Sequence, residues 1–338
     1  MEQGAQVGQL DPEQLCRELM RALRGKRSQR AFCKRIGRSS NVAYAWESGR
    51  RAPTITEMLR VAERLGHDVE AALRAFASVH APKYEAPPRA EVEHLAELLR
   101  HLAGITPVST IAERAGRTRS ATSRWLSGNV EPRLPDFLGL LEATCRGAMT
   151  FVSAFVPPLS MPSVAERWRR EQAFGSLVRE VPAVLMVPVA LALGAYGELP
   201  AHSSAWLAAQ TGLTQSEIEL AIERLAALGA IRWAGARWET DPDFEVDTRR
   251  VPEVADEARR YFARLSAERL GRSPGERYSY VCLTASDEEL ERLLRAQAEL
   301  MALARSVAVS EHTDRLVVIS THVLPLGLGA SAAAEAQD

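Results

Sequence analysis

The sequence predicts a mainly α-helical protein of several domains, and three observations support this. The 338-residue chain is 46% hydrophobic but only 6% aromatic, and it is rich in alanine, leucine, arginine and glutamate, which favour helix. Apolar residues recur at helical spacing between capping residues and glycines. One helical pattern occurs twice, 79 residues apart, which indicates an internal duplication. The predicted fold is two tandem five-helix domains, a winged-helix-like segment and a small C-terminal α+β domain of β-α-β order.

Charge is unevenly distributed along the chain. The net charge is −1, so the protein as a whole is not a polyanion binder. Residues 11–80 carry 14 Lys and Arg against 8 Asp and Glu, whereas residues 251–338 carry 10 against 14. This asymmetry predicts a nucleic-acid contact confined to the N-terminal part.

Cysteine usage and hydropathy predict a cytoplasmic protein. The four cysteines show no paired spacing, as expected for reduced thiols, and no signal segment opens the chain. The longest apolar run, residues 181–196, contains two prolines and falls short of the ~20 residues that a membrane helix requires. We therefore expect a core helix there and no membrane contact.

The first predicted domain spans residues 10–80, and residues 28–53 form a helix-turn-helix pattern within it. Ser28 is a predicted N-cap of a short helix. Gly37 is placed at the turn, where a left-handed residue lets the chain reverse. Ser39 is predicted to cap the second helix.

The second helix of this pattern carries a predicted base-reading face. Ala43 and Trp46 occupy its inward positions, so short polar side chains are left outward. The residues predicted to read bases are Gln29, Ser40, Asn41 and Tyr44. Those predicted to contact DNA phosphates are Ser28, Arg38, Ser39, Arg50 and Arg51. A polar helix face with cations at its edge suits insertion into a major groove.

This region resembles the lambda-repressor-like (XRE) DNA-binding family. The residues that carry the resemblance are Ser28-Gln29, Phe32-Cys33, Ile36-Gly37, Ser39, Trp46-Glu47, Gly49-Arg50 and Pro53. The resemblance implies a compact five-helix domain that binds double-stranded DNA. An ordinary helical hairpin is the alternative.

The pattern returns in a second predicted domain, residues 88–156, after a proline-rich linker. Gly37 and Trp46 correspond to Gly116 and Trp125 at the 79-residue offset. The residues predicted to read bases here are Arg119, Ser120, Ser123 and Arg124, with Arg117 on a phosphate. Arginine can pair bidentately with guanine.

The second copy departs from the family pattern in three ways that disfavour DNA contact. Leu126 replaces the acid that follows the tryptophan, and Thr122 occupies an inward position. Residues 88–150 carry 8 Lys and Arg against 7 Asp and Glu. The alternative is a degenerate domain that serves only for packing.

The third predicted domain, residues 163–243, follows a second predicted linker at 156–162. Two helices separated at Gly212 precede a hairpin around Gly235, and this order resembles a winged helix-turn-helix. The second helix carries three outward acids, Glu217, Glu219 and Glu223. Because DNA phosphates repel carboxylates, we expect a scaffold or dimerisation role rather than a third DNA reader.

The fourth predicted domain, residues 250–327, is a strand at 278–284, a helix at 286–307 and a strand at 316–320. From Ala165 onward the chain resembles a family of predicted bacterial regulators with a winged-helix segment and a C-terminal domain of unknown function. The residues that carry the resemblance are Glu276-Arg277-Tyr278-Ser279, Leu283-Thr284, Ser286, Asp314-Arg315-Leu316-Val317 and Leu324-Pro325-Leu326. It implies a regulator but no particular ligand.

Catalytic and cofactor motifs are missing from the sequence. We find no phosphate-binding glycine loop, HExxH or nucleophile elbow, so we expect neither enzyme activity nor a cofactor. A metal site is not expected either, since the candidate ligands have no recognised spacing; they are Cys282, His312, Asp314 and His322. A basic group forms either an anionic-effector site or a solvated face paired with acids; its members are Arg259, Arg260, Arg264 and Arg272.

The predicted function is a sequence-specific DNA-binding transcriptional regulator that acts as a homodimer. Its C-terminal half is expected to dimerise or to respond to a small-molecule or protein effector. The alternative is a protein-interaction adaptor, such as an antirepressor-like or defence-system partner, that uses helix-turn-helix folds as docking surfaces.

Overall fold

A computed structural model describes residues 10–39, 41–81, 84, 91–104, 106–241, 252–272, 276–279, 281–307 and 314–324. These residues fall into two compact units, divided between Gly175 and Ser176. The described chain is mainly α-helical with a small antiparallel sheet, so the predicted fold class is confirmed.

The first unit contains the same five-helix order twice. The first copy consists of α1 (Pro12–Arg24), α2 (Gln29–Arg35), α3 (Val42–Glu47), α4 (Ile55–Arg64) and α5 (Val69–His80). The second consists of α6 (Val92–Ala103), α7 (Val108–Arg114), α8 (Arg119–Leu126), α9 (Leu134–Cys145) and α10 (Ala148–Ser153). We call these the first and second modules.

The 79-residue offset holds at the level of individual turns. Helices α2 and α7 correspond residue for residue. Gly37 and Gly116, which end them, have φ of +67° and +61°, a conformation that costs other residues energy. The N–H groups of Arg38 and Arg117, one residue later, donate to the Cys33 and Ala112 carbonyls at 2.9 and 2.8 Å. The duplication predicted from sequence is thus present in the backbone.

The two modules share one hydrophobic core rather than having two separate cores. Helix α9 of the second module packs on α6 of its own module and also on α1 of the first. Phe76 of α5 meets Phe151 of α10 edge to face, with ring centroids 5.8 Å apart. Because burial of such side chains drives folding, we expect the pair to fold as one body.

The segment predicted as a second linker, residues 156–162, belongs to this core. A 3₁₀ turn at Pro158–Ser160 directs Met161 inward, where it is fully buried. Ser163 then donates from its N–H and Oγ to the Glu18 carboxylate at 3.0 and 2.7 Å. The linker prediction is wrong because apolar side chains and this polar contact fasten the segment to α1.

The long helix α11 (Pro162–Glu180) crosses the division between the units. The apolar run predicted as one core helix follows it, and it forms three short elements instead: a 3₁₀ turn at Pro182–Leu185, α12 (Val187–Leu191) and α13 (Gly194–Gly197). Pro182 and Pro188 each lie in a first turn, because proline lacks the N–H that a helix interior needs.

The predicted winged-helix pattern is present in the second unit. Helices α14 (Ser204–Thr211) and α15 (Gln215–Ala227) precede the antiparallel pair β1 (Ile231–Trp233) and β2 (Trp238–Thr240). Helix α15 begins with a capping box in which Thr214 and Glu217 bond each other's backbone N–H, as the sequence predicted.

A polar network joins the hairpin to α14. The Trp238 N–H donates to Tyr196 Oη at 3.2 Å, so the Tyr196 hydroxyl hydrogen is available to His202 Nδ1, 3.0 Å away. His202 Nε2 lies 3.1 Å from Ser204 Oγ. Burial lowers the pKa of His202, which favours the neutral ring that this network requires.

The C-terminal region contains α16 (Pro252–Arg269) and α17 (Asp287–Val307). Helix α17 is confirmed, with Ser286 and Glu289 as its capping box. The strands predicted at 278–284 and 316–320 are not formed in the described parts of those segments. Val281 and Val317 are 78% and 68% exposed, so these segments lack the covered faces that stabilise parallel pairing.

Candidate nucleic-acid interface

The first helix-turn-helix is held in place by local contacts at both of its helices. Ser28 Oγ accepts from the Ala31 N–H at 3.2 Å and caps α2, as predicted. Helix α3 begins at Val42 with Asn41 at its N-cap, so the prediction that Ser39 caps it is wrong. Asn41 occupies the N-cap position instead, and Ser39 lies two residues before it.

Helix α3 presents the face that the sequence predicted. Ala43 and Trp46 point inward and are each 1% exposed, whereas Tyr44 is 46% exposed. Asn41 is also exposed. Ser40, predicted to read bases, lies outside the described residues. Because Ala43 and Trp46 pack into the core, Asn41 and Tyr44 remain accessible to a partner.

Gln29 has a second role that the sequence did not reveal. Its Nε2 donates to Glu47 Oε2 at 3.2 Å. The same carboxylate receives Arg24 Nε at 2.6 Å and Arg24 Nη2 at 3.2 Å. Glu47 is 8% exposed, so this charge-assisted cluster fixes α3 against α1 and α2.

The predicted phosphate-binding arginines form a rim beside α3. Arg38 and Arg51 both reach Glu57, at 3.0 and 3.4 Å. Arg50 lies over the Tyr44 ring, 5.0 Å from its centroid. Since the arginines of the Glu57 pairs are 43% and 53% exposed, such pairs contribute little stability and can exchange for a phosphate. Ser28 and Ser39 are exposed on the same motif.

In the second module the predicted residues occupy equivalent places. Thr118 caps α8 by accepting from the Ala121 N–H at 3.2 Å. The four predicted base-reading side chains are all exposed: Arg119, Ser120, Ser123 and Arg124. Arg117 Nε donates to Asp136 at 2.6 Å and lies 3.7 Å from Glu13. This module therefore also has an outward polar face with an arginine beside it.

The departures of the second module from the family pattern affect its interior. Thr122 is fully buried and Leu126 is 7% exposed. Leu126 stands where the first module has Glu47, and Ala103 and Val108 stand where it has Arg24 and Gln29. An apolar trio thus replaces the charged cluster without changing the exposed face of α8.

Two acids that hold the arginine rims were missed by the sequence analysis. Glu57 and Asp136 are equivalent at the 79-residue offset, and each accepts from the equivalent arginine, Arg38 or Arg117. The repeat carries the signal that would have found them, since both arginines and both acids recur in register.

The winged-helix segment presents a different surface. The exposed side of α15 carries three acids, Glu217, Glu219 and Glu223. Positions that would approach a groove therefore carry negative charge, which opposes DNA binding.

The basic C-terminal helix behaves as a solvated face. Arg259 and Arg260 pair with Asp256 and Glu257 on their own helix, at 2.6 and 3.1 Å. All four side chains are partly or largely exposed. These pairs agree with the second of the two readings for this region, a basic face that pairs with nearby acids.

Neither a metal-binding cluster nor a membrane-spanning helix is present in the part of the chain that the structure describes. Within the described ranges, no three His, Cys, Asp or Glu side chains are grouped so as to hold a metal ion; His312 lies outside those ranges. Among the helices that the structure describes, none is long and apolar enough to cross a membrane.

The match found by comparison with known protein families lies in the C-terminal half of the chain. Residues 169–326 match the family model described as "Domain of unknown function (DUF4423)". This match covers the winged-helix segment and most of the C-terminal region. No helix-turn-helix family model matches the chain. No curated protein and no solved structure matches it either.

Proposed function

We propose that this protein is a cytoplasmic, sequence-specific DNA-binding transcriptional regulator of the lambda-repressor-like type. The observation that carries the proposal is that Tyr44 of α3 with Asn41 at its N-cap, and the outward polar side chains of α8, are exposed beside exposed arginines on a shared core. Such a face suits base edges in a major groove, and the arginines suit phosphates.

In the proposal, base contacts and phosphate contacts have separate roles. Asn41 and Tyr44 of α3 read bases with Gln29 beside them, and the exposed side chains of α8 add a second set. The arginines of the two rims bind phosphates, namely Arg38, Arg50, Arg51 and Arg117. These phosphate contacts dominate the affinity and its salt dependence.

The C-terminal half is proposed to form a homodimer or to respond to a small-molecule or protein effector. Helix α17 exposes apolar side chains at helical spacing, among them Leu293, Leu294 and Leu300, each 41–43% exposed. Large apolar side chains left exposed along one helix suit an association site.

The experiment that tests the proposal is a titration of the full-length protein against a duplex enriched from random DNA and against its scrambled counterpart. Asn41→Ala should weaken binding to the enriched duplex by about 1–3 kcal/mol and leave binding to the scrambled duplex nearly unchanged. Ser48→Ala, an exposed change just beyond α3, is the control. Equal loss on both duplexes would show that Asn41 does not read bases.

The second candidate is a protein-interaction adaptor. The acidic face of α15 favours it, because that face suits a basic protein surface better than DNA. The adaptor predicts that the full-length protein binds no duplex in a salt-dependent way, whereas the regulator predicts affinity that falls steeply with salt.

A further inference from the structure

The two modules contact each other through equivalent residues. The Leu134 N–H donates to the Pro53 carbonyl at 2.8 Å, and the Ile55 N–H donates to the Pro132 carbonyl at 3.3 Å. Thr54 and Arg133 lie opposite each other between these bonds, in an isolated antiparallel bridge.

These contacts define a local two-fold relation. Pro132, Arg133 and Leu134 correspond to residues 53, 54 and 55 at the 79-residue offset. Each bond therefore has a counterpart with donor and acceptor modules exchanged, as in the isologous interface of a symmetric dimer. Modules related by translation would instead join unlike surfaces.

The same relation extends away from the bridge. Helices α4 and α9, which start at the bridge, are equivalent and pack on each other, as are α5 and α10. The arginine rims are repeated within each module, since Arg38 with Glu57 corresponds to Arg117 with Asp136. The symmetry is local: α1 packs closely on α9, whereas the equivalent pair α6 and α4 does not, and Glu131 accepts from the Thr56 N–H at 2.9 Å while its counterpart is Ala52.

The position of this axis matters for the two exposed helices. Helix α3 ends at Glu47, seven residues before Thr54. A seven-residue segment spans at most about 25 Å. The same number separates α8 from Arg133. Each helix therefore ends within about 25 Å of the bridge, a limit compatible with half-sites one DNA turn apart, about 34 Å.

We propose that a single chain reads a DNA site made of two inverted, unlike half-sites about one helical turn apart. This inference rests on the proposed function. The internal two-fold does within one chain what dimerisation does in a symmetric repressor. A homodimer through the C-terminal half would then carry two such readers.

The half-sites are unlike because the equivalent positions differ. Asn41 corresponds to Ser120, and Tyr44 corresponds to Ser123. Asparagine pairs bidentately with adenine, whereas the arginines of α8 pair with guanine. We therefore expect an adenine preference in one half-site and a guanine preference in the other.

The test is selection of binding sites by the full-length protein from a library of random duplexes, repeated with Asn41→Ala and with Arg119→Ala. Both side chains are exposed, and circular dichroism confirms that each variant is folded. The inference predicts an inverted motif. Asn41→Ala should lose base preference in one half-site only, and Arg119→Ala should lose it in the other half-site only.

The other outcomes are distinguishable. A direct repeat, or a variant that changes both halves alike, would overturn the internal two-fold reader while leaving DNA binding intact. If the wild-type protein enriches no motif and shows no salt-dependent affinity for duplex DNA, the proposed function itself fails.

Discussion

The two modules hold the same exposed helix in different ways. In the first, α3 is fixed by a charged cluster in which Glu47 accepts from Arg24 and Gln29. In the second, Ala103, Val108 and Leu126 occupy the equivalent positions, and Leu126 is buried. The backbone of the turn is the same in both, with Gly37 and Gly116 in the left-handed region.

This difference shows which part of the motif is interchangeable. Helix order and turn geometry persist, whereas the interior contact changes from ionic to apolar. Replacing a buried ion pair by packed apolar groups is often neutral for stability. The interior contact can therefore differ between the modules without loss of the fold.

The largest expected effect distinguishes the two tryptophans. Trp46 is 1% exposed, whereas Trp125 is only partly buried. Trp46→Ala should lower the free energy of unfolding by about 3–5 kcal/mol, and Trp125→Ala should lower it clearly less. Urea denaturation followed by circular dichroism measures both. Equal losses would mean that the two modules bury their tryptophans alike.

An intermediate effect on stability is expected when the charged cluster of the first module is replaced by the apolar residues of the second. Glu47→Leu alone should lower the free energy of unfolding by about 2–4 kcal/mol, because Arg24, 20% exposed, loses its carboxylate. The triple variant Arg24→Ala, Gln29→Val, Glu47→Leu carries the trio of the second module and should recover at least half of that loss.

The control for this exchange is Arg38→Ala, which removes an exposed ion pair and should change stability by less than about 1 kcal/mol. A triple variant as unstable as Glu47→Leu would contradict the claim that the two interiors are interchangeable.

The smallest expected effect extends the comparison to the winged-helix segment. Tyr196→Phe removes the hydroxyl that accepts from the Trp238 N–H, and should cost about 1–2 kcal/mol. Because burial lowers the pKa of His202 below its ordinary value of 6.5, the unfolded chain binds a proton first as the pH falls. The contribution of this network is thus present above pH 6.5 and is lost as the pH drops through the lower folded-state pKa.

Thermal melts between pH 8 and pH 5 check the sign of that dependence. His202→Gln should flatten the decline, and Ser48→Ala, an exposed change that removes no titratable group, should leave it unchanged. A wild-type protein that gained stability on acidification would contradict the neutral-ring assignment.

Local features of this fold are readable from sequence, and long-range ones are not. The capping boxes at Thr214 and Ser286 and the turn at Gly37 follow from residue types at fixed spacing. Two features depend on how helices distant in sequence pack: the contact of α1 with α9 and the reciprocal hydrogen bonds at Pro53 and Pro132. No local sequence pattern predicts either of them. Segments 278–284 and 316–320 have strand-like composition, but composition does not supply the partner that a strand requires.

The candidate site divides in the same way. The outward positions of α3 and α8 follow from their inward tryptophans and were predictable. The acids that hold the rim, Glu57 and Asp136, lie on the following helices; their recurrence at the 79-residue offset is visible in the sequence, but their contacts with the arginines depend on how those helices pack. The start of α3 at Val42 was also not predicted, because Asn41 occupies the N-cap position without a capping hydrogen bond from its side chain, so residue type does not indicate it.

The most direct test of the account is site-specific photo-crosslinking of the full-length protein to its enriched duplex. A photoreactive phenylalanine analogue replaces, one at a time, Tyr44 of α3, Ser123 of α8 and Glu219 of α15, all exposed. Crosslinks to DNA are expected from the first two positions, to opposite ends of the site, and none from the third. Crosslinking from Glu219 but from neither Tyr44 nor Ser123 would contradict it.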